Sequence, residues 1–182
     1  MLTEAILPAC PEFEIPLLLM IGVRRQANPA LRLAGDASGN ADLTALERLG
    51  AAYPENRFLV SVLSRENQHE RSVYGRNFTK LMPFGCWWFL NNPSIVEEIT
   101  AQRLEILGTS FIPQHSDARV LEQLIYKWRN TRRTLAPILA NKYRLLCEGG
   151  WPVTRADIRR DVARLFRTNC ETFTGGLKSA AG

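Results

Sequence analysis

Apolar residues in this chain gather in short, nearly continuous runs separated by stretches with helical spacing. Four runs stand out: Ile15 to Val23, Phe58 to Leu63, Leu81 to Trp88 and Thr109 to Pro113. Short apolar runs that alternate with helices predict parallel strands buried on both faces. A fragment of helix near Thr3 to Ala9 precedes the first run. The next helix starts near Asp42 and carries Leu43, Leu46 and Leu49; another runs from about Glu66 to Phe78. Asn92-Pro93 sets a capping Asn before a Pro at the first helical position, with Ile95, Ile99, Leu104 and Leu107 following. A long helix comes after the fourth run, with Leu121, Leu124, Ile125, Trp128 and Leu135 on one side and a kink expected at Pro137. Thr154-Arg155-Ala156-Asp157 has the form of a helix start, and Ile158, Val162, Leu165 and Phe166 give that last helix its apolar face.

The organisation is thus four βα units plus one extra C-terminal helix, a single domain over 1–174, with residues 175–182 expected to be a disordered tail. Strand starts near 15, 58, 81 and 108 leave one long interval, which holds the Arg24 to Gly39 loop. That loop is too long to be a mere connection. In a parallel sheet it falls at the C-terminal strand ends, where ligands bind.

Composition narrows the class. No apolar run approaches the roughly 20 residues of a membrane helix. Residues 1–10 carry Glu4 and no Lys or Arg, so no basic leader region is seen and the cytoplasm is the expected compartment. The net charge of +5 is uneven: residues 1–119 hold 11 Lys/Arg against 13 Asp/Glu, and residues 120–182 hold 12 against 5. The basic residues of the last third repeat at helical spacing among apolar ones, which reads first as solvated helix faces. A basic binding module built on Lys127 to Arg133 and Arg155 to Arg167 is the other reading. Cys10, Cys86, Cys147 and Cys170 form no C-x-x-C pair, and with only His69 and His115 the chain cannot build a zinc site of the usual kind alone.

Each predicted strand leads into polar residues: Arg24 and Arg25; Ser64-Arg65-Glu66-Asn67; Trp87-Trp88 with Asn91 and Asn92; and His115-Ser116-Asp117-Ala118-Arg119. On one rim, this set suits a small anionic, hydroxylated molecule, because Arg grips carboxylates in a fork and Trp offers a flat face to a carbon chain. Plainer roles exist for each. Asp117 or Ser116 can cap the following helix, with Arg119 in a surface ion pair. Arg65 can pair with Glu66, and His69 and His115 can be structural. If Trp87 and Trp88 lie in a strand, alternation turns one to the core.

The wording of two segments adds a resemblance. Phe84-Gly85-Cys86-Trp87-Trp88-Phe89, followed by Asn91-Asn92, resembles a Gly- and Trp-Trp-Phe-Asn-bearing segment of uronate isomerases. Gly108 to Arg119, ending His115-Ser116-Asp117-Ala118-Arg119, is similar to that family's strand-8 segment in its divergent branch. Leu63-Ser64-Arg65-Glu66-Asn67 and Met20-Ile21-Gly22 fit the preceding strands in order. The likeness runs from about Ile15 to Gly175 and would cover the C-terminal two-fifths or so of a family member.

The resemblance implies an α/β fold, the C-terminal half of a (β/α)8 TIM barrel of the amidohydrolase superfamily, with strands equivalent to 5 through 8. It implies aldose–ketose isomerisation of D-glucuronate to D-fructuronate and of D-galacturonate to D-tagaturonate. Asp117 would be a metal ligand and proton-transfer group, Arg119 would stabilise the enediolate, and Trp87, Arg65 and His115 would bind the hexuronate substrate. A divalent metal, zinc first, is expected in the complete barrel and weakly or not at all in this chain. Met20 stands where members carry a His within Leu-His-Ile-Gly, and a thioether is a poor ligand for such a cation. The expected partners are the small-molecule substrate and a second copy or a missing N-terminal half, not nucleic acid or membrane. The chain alone is expected to be inactive. A non-catalytic half-barrel is the alternative.

Overall fold

The computed structural model describes residues 1–175, so the tail expectation lies outside the described residues apart from Gly175. A π-helical turn, Leu2–Ile6, leads into α1 (Leu7–Glu12), then β1 (Leu17–Ile21), β2 (Val23–Arg24) and β3 (Ala37–Ser38). α2 (Thr44–Ala52), β4 (Phe58–Val62), α3 (Gln68–Asn77), β5 (Leu81–Pro83) and α4 (Pro93–Leu107) follow, and α5 (Leu121–Glu148), α6 (Arg155–Ala163) and α7 (Asn169–Phe173) complete the described residues. The outcome is a mixed α/β fold with a parallel sheet and flanking helices.

The sheet order is β1-β4-β5, with Leu17 opposite Phe58 and Phe58 opposite Leu81. Every residue of the central strand β4 is buried, which explains its apolar run, broken only by the small Ser61. On one face Phe58, Val60 and Val62 join Leu7, Leu43, Leu46 and Leu81, with Leu17, Leu19 and Ile21 against them. On the other, Leu59 meets Phe84, Ile112 and Phe173. β1 departs from the expectation of burial on both faces. Leu18 and Met20 are 49% and 39% exposed, because β1 is the edge of the sheet among the described residues.

The third and fourth strands are shorter than their apolar runs. β5 stops at Pro83, and the Thr109 to Pro113 run contributes only a single parallel bridge, Phe84 to Ile112. Pro83 and Pro113 flank that bridge, and neither can donate a ladder hydrogen bond. No closed barrel is formed among the described residues.

Caps follow the sequence closely. The Asn92 side chain accepts from the Ile95 backbone N–H at the start of α4, and Thr154 and Asp157 form a reciprocal capping box at α6. α5 runs unbroken through Pro137; Leu135, Ile138 and Leu139 are buried. The expected apolar side is incompletely covered, since Leu121 and Ile125 stay exposed. The long loop is an ordered ribbon: β2 pairs antiparallel with β3, and a 3-10 turn, Pro29–Gly35, caps it.

Candidate functional site

A cleft of about 660 Å³ opens where the rim loops meet the first turns of α5. Three segments separated in sequence wall it. Arg25, Leu33 and Asp36 come from the β2–β3 ribbon, Trp87, Trp88 and Asn91 from the loop after β5, and Asp117, Arg119, Gln123, Tyr126 and Lys127 from the start of α5 and the stretch before it.

The tryptophan segment is held from beneath. Arg103, fully buried on α4, donates through Nη2 to the Gly85 carbonyl at 2.7 Å, and the Cys86 N–H donates to Gln114 Oε1 at 3.2 Å. Gly85 adopts φ +68, and a side chain there would meet the His115 ring at 3.1 Å, so two constraints require glycine. Trp87 is extended and 6% exposed. Trp88 turns to φ 49, opens a 3-10 turn over Trp88–Leu90 and stacks on Phe89 at 4.7 Å. The chain has left the sheet at Pro83, so strand alternation no longer applies. Trp88 therefore faces the cleft, and Trp87, which lines the same cleft, is the buried one of the pair, so the expected turn of Trp88 toward the helices is corrected.

Asp117 and Arg119 project from a turn that α5 grips. The N-cap of α5 is Val120, which has no side-chain capping bond. The Lys127 ammonium donates to the carbonyls of Ser116 and Asp117, and the Arg119 N–H donates to Gln123 Oε1 at 2.9 Å. Asp117 itself has φ 42 and is exposed. Asp117 does not cap α5, and no ion pair engages Asp117 or Arg119 among the described residues. The plainer roles considered for both are thereby removed.

On the opposite lip, Arg25 donates to Asp36 Oδ2 at 2.6 Å and the Gln26 N–H donates to Asp36 Oδ1 at 2.8 Å. The Gln26 N–H, then the Arg25 guanidinium, hold the Asp36 carboxyl below the usual carboxylate range. The cleft thus carries three cations (Arg25, Arg119, Lys127) and two carboxylates, with Arg25 already paired. The excess positive charge suits an anion, and the paired tryptophans suit its carbon skeleton.

Two expected substrate contacts are not brought in. Arg65 pairs with Glu98 at 2.9 Å on the surface and does not line the cleft. His115 lies under Trp87, edge-on to Phe84 at 4.9 Å, with both ring nitrogens buried and without hydrogen-bond partners among the described residues. Burial, the largest effect on it, lowers its pKa and so favours the neutral ring. It supports the Trp87 wall from behind. Arg25 is visible in the sequence as a rim charge; Asp36, Tyr126 and Lys127 line the same cleft without such a signal, and Lys127 and Tyr126 carry only that of an amphipathic helix.

The donor set does not fit a divalent metal. Among the described residues no three His, Cys, Asp or Glu side chains converge. No described helix is long and apolar enough to cross a membrane.

An α/β fold whose rim loops wall an anion-suited cleft is the class these observations define. No protein-family profile matches the chain, and no curated protein matches it. Solved structures do. The chain is 52% identical to a uronate isomerase from Bacillus halodurans C-125, with a TM-score of 0.93, over 96% of this chain and 42% of that one. A uronate isomerase from Thermotoga maritima matches at 18% identity and TM-score 0.79, covering 90% of this chain and 38% of that one. A glucuronate isomerase from Caulobacter crescentus gives 18% and 0.75, covering 92% and 37%. The last two show the fold alone. The resemblance to uronate isomerases therefore holds in sequence and in fold along nearly the whole chain, which spans 42% of the length of the Bacillus protein.

Proposed function

We propose that this chain is the C-terminal portion of a uronate isomerase, half of a (β/α)8 barrel, carrying one wall of a hexuronate site. β1, β4, β5 and the bridging segment at Ile112 would be four consecutive barrel strands. The observation that carries the proposal is that Asp117, Arg119 and Trp87 line one cleft while Asp117 and Arg119 are engaged neither in a cap nor in an ion pair.

Aldose–ketose isomerisation moves a proton between C1 and C2 and develops negative charge on oxygen between them. Asp117 would take and return the proton, and Arg119 would stabilise the enediolate oxygen. The Trp87 and Trp88 rings would sit along the sugar chain. Each substrate, D-glucuronate or D-galacturonate, would leave as the corresponding ketose, D-fructuronate or D-tagaturonate. Among the described residues this chain's donors form no metal site of their own, and in a complete barrel Asp117 would be the one ligand this portion offers. Alone, the chain has a one-sided cleft and is expected to be inactive.

A chimera tests this. Residues 1–175 replace the matching segment of the Bacillus protein, and D-glucuronate turnover is followed by ketose formation. The chimera should isomerise, and Asp117→Asn or Arg119→Met should lower kcat by about 100-fold or more, the scale of lost transition-state electrostatics. A folded chimera whose variants turn over normally would refute the assignment.

A further inference from the structure

Lys127 sits on α5, ten residues after Asp117, and its ammonium binds two consecutive carbonyls. The bond to the Asp117 carbonyl measures 3.2 Å; the other goes to Ser116. In an extended chain successive carbonyls point to opposite sides, so one nitrogen cannot reach both. They converge only if the residue between them turns the chain, and Asp117 does, with φ 42. Side-chain-bearing residues seldom adopt that conformation unless contacts hold them there.

A second grip comes from the preceding turn of the helix. Gln123 lies four residues before Lys127, on the same side of α5, and accepts the Arg119 N–H at 2.9 Å. The two side chains thus hold the 116–119 segment from one helix face, in place of the side-chain cap that Val120 lacks.

We propose that Lys127 is a positioning residue: it fixes the left-handed turn at Asp117 and so keeps the Asp117 carboxylate on the cleft. Two of its three N–H donors serve the turn, and the third remains for the cleft it lines. The inference rests on the reading of Asp117 as the proton-transfer group.

The test uses Lys127→Met and Lys127→Arg in two settings. In the 182-residue chain, NMR scalar couplings and carbon shifts report φ at Asp117. Lys127→Met should move Asp117 out of the left-handed region, and Lys127→Arg, which keeps the donors, should retain it. In the chimera, Lys127→Met should lower kcat about 10- to 100-fold with little change in KM, the effect of a misplaced catalytic group. Lys127→Arg should recover most of that loss. An unchanged Asp117 conformation in Lys127→Met overturns the proposal. So does a rise in KM alone, which would make Lys127 a substrate contact. If the unmodified chimera is inactive, the isomerase reading fails, while the Asp117 conformation still decides whether Lys127 holds the turn.

Discussion

Arg71 and Arg103 are both fully buried, on the packed helices α3 and α4, yet replacing them should have opposite effects. Arg103 is engaged through one nitrogen, its Nε and Nη1 lacking partners among the described residues: Nη2 donates to the Gly85 carbonyl at 2.7 Å and to Gln68 Oε1 at 3.3 Å, and the guanidinium lies 5.8 Å from the Phe111 ring centroid. Arg71 has no hydrogen-bond partner for any of its three guanidinium nitrogens among the described residues. Burial pushes both guanidinium pKa values down, and the Arg103 charge depresses Arg71 further. An unpaired buried donor costs about 1–3 kcal/mol, and even buried charges that are paired can be replaced by packed apolar groups with a neutral effect or a gain of about 1–4 kcal/mol. Arg71→Met, with a flexible chain that fills much of the same space, should therefore leave stability unchanged or raise it by up to about 3 kcal/mol. Arg103→Met removes two charge-assisted bonds, each about 1.5–3 kcal/mol, and leaves a buried carbonyl unpaired. Relief of desolvation offsets part of that, and a net loss of about 2–4 kcal/mol is expected. Urea unfolding followed by circular dichroism gives both numbers. The Trp87 emission should shift only in Arg103→Met, because Arg103 holds the backbone two residues before that ring. If Arg71→Met loses as much stability as Arg103→Met, the Arg71 guanidinium is paired and the reasoning fails.

Thr154→Ala should cost about 1 kcal/mol in thermal or urea unfolding by opening the α6 capping box. Its Thr154 bonds, with Arg160, hold the Asp157 pKa at about 2. This depressed carboxyl stabilises the fold above its unfolded value near 4, and that contribution is lost as pH falls through about 2; acid unfolding of Thr154→Ala that matches the parent would count against the linkage. Tyr143, raised to about 12 by burial and then by Asp161, should ionise last in an ultraviolet pH titration, and Tyr143→Phe should delete that late step. In variants retaining one tryptophan, iodide should quench Trp88 well and Trp87 poorly, since they are 39% and 6% exposed; equal quenching would contradict the turn at Trp88. The exposed apolar edge at Leu18 and Met20 should drive association of the isolated chain, and Leu18→Lys with Met20→Lys should shift sedimentation toward monomer. A parent chain that sediments as a monomer at all concentrations would remove that expectation.

The residues most legible in the sequence were those whose role depends on neighbours along the chain. The β4 run, the Asn92 cap and the Thr154–Asp157 box each follow from local spacing, and each forms as expected. Asp117, Arg119 and Trp87 also share one cleft, because strand ends of a parallel sheet converge whatever the intervening sequence. What stayed hidden depends on backbone turns or contacts distant in sequence. Nothing in Trp87-Trp88 signals that the second residue takes a positive φ, so alternation sent it to the wrong side. The β2–β3 pair has two residues per strand, too few to leave a period. Arg71 and Arg103 occupy helices where charge normally marks the solvent face, and their burial follows from the α3–α4 packing rather than from any pattern. Arg65 follows β4 in sequence but is drawn away from the cleft by Glu98, a partner 33 residues on.

The cleft wall is held by hydrogen bonds within it and, under the tryptophan segment, from beneath it, and this bears on how it would meet a ligand. Asp36 is fixed by the Gln26 backbone and Arg25, the Gly85–Cys86 backbone by Arg103 and Gln114, and the 116–119 segment by Lys127 and Gln123. Each of the three segments is therefore tied down before any ligand arrives, which lowers the ordering cost of binding. A wall ordered in this way would keep the selectivity proposed for it even where affinity is low, because selectivity depends on where the charges and rings sit and affinity on how much surface closes around the ligand. Under the isomerase proposal, recognition and turnover would be separable: the first would rest on groups already held in place, the second on enclosing the reacting carbons so that the Asp117 carboxylate and Arg119 could act on them away from bulk water.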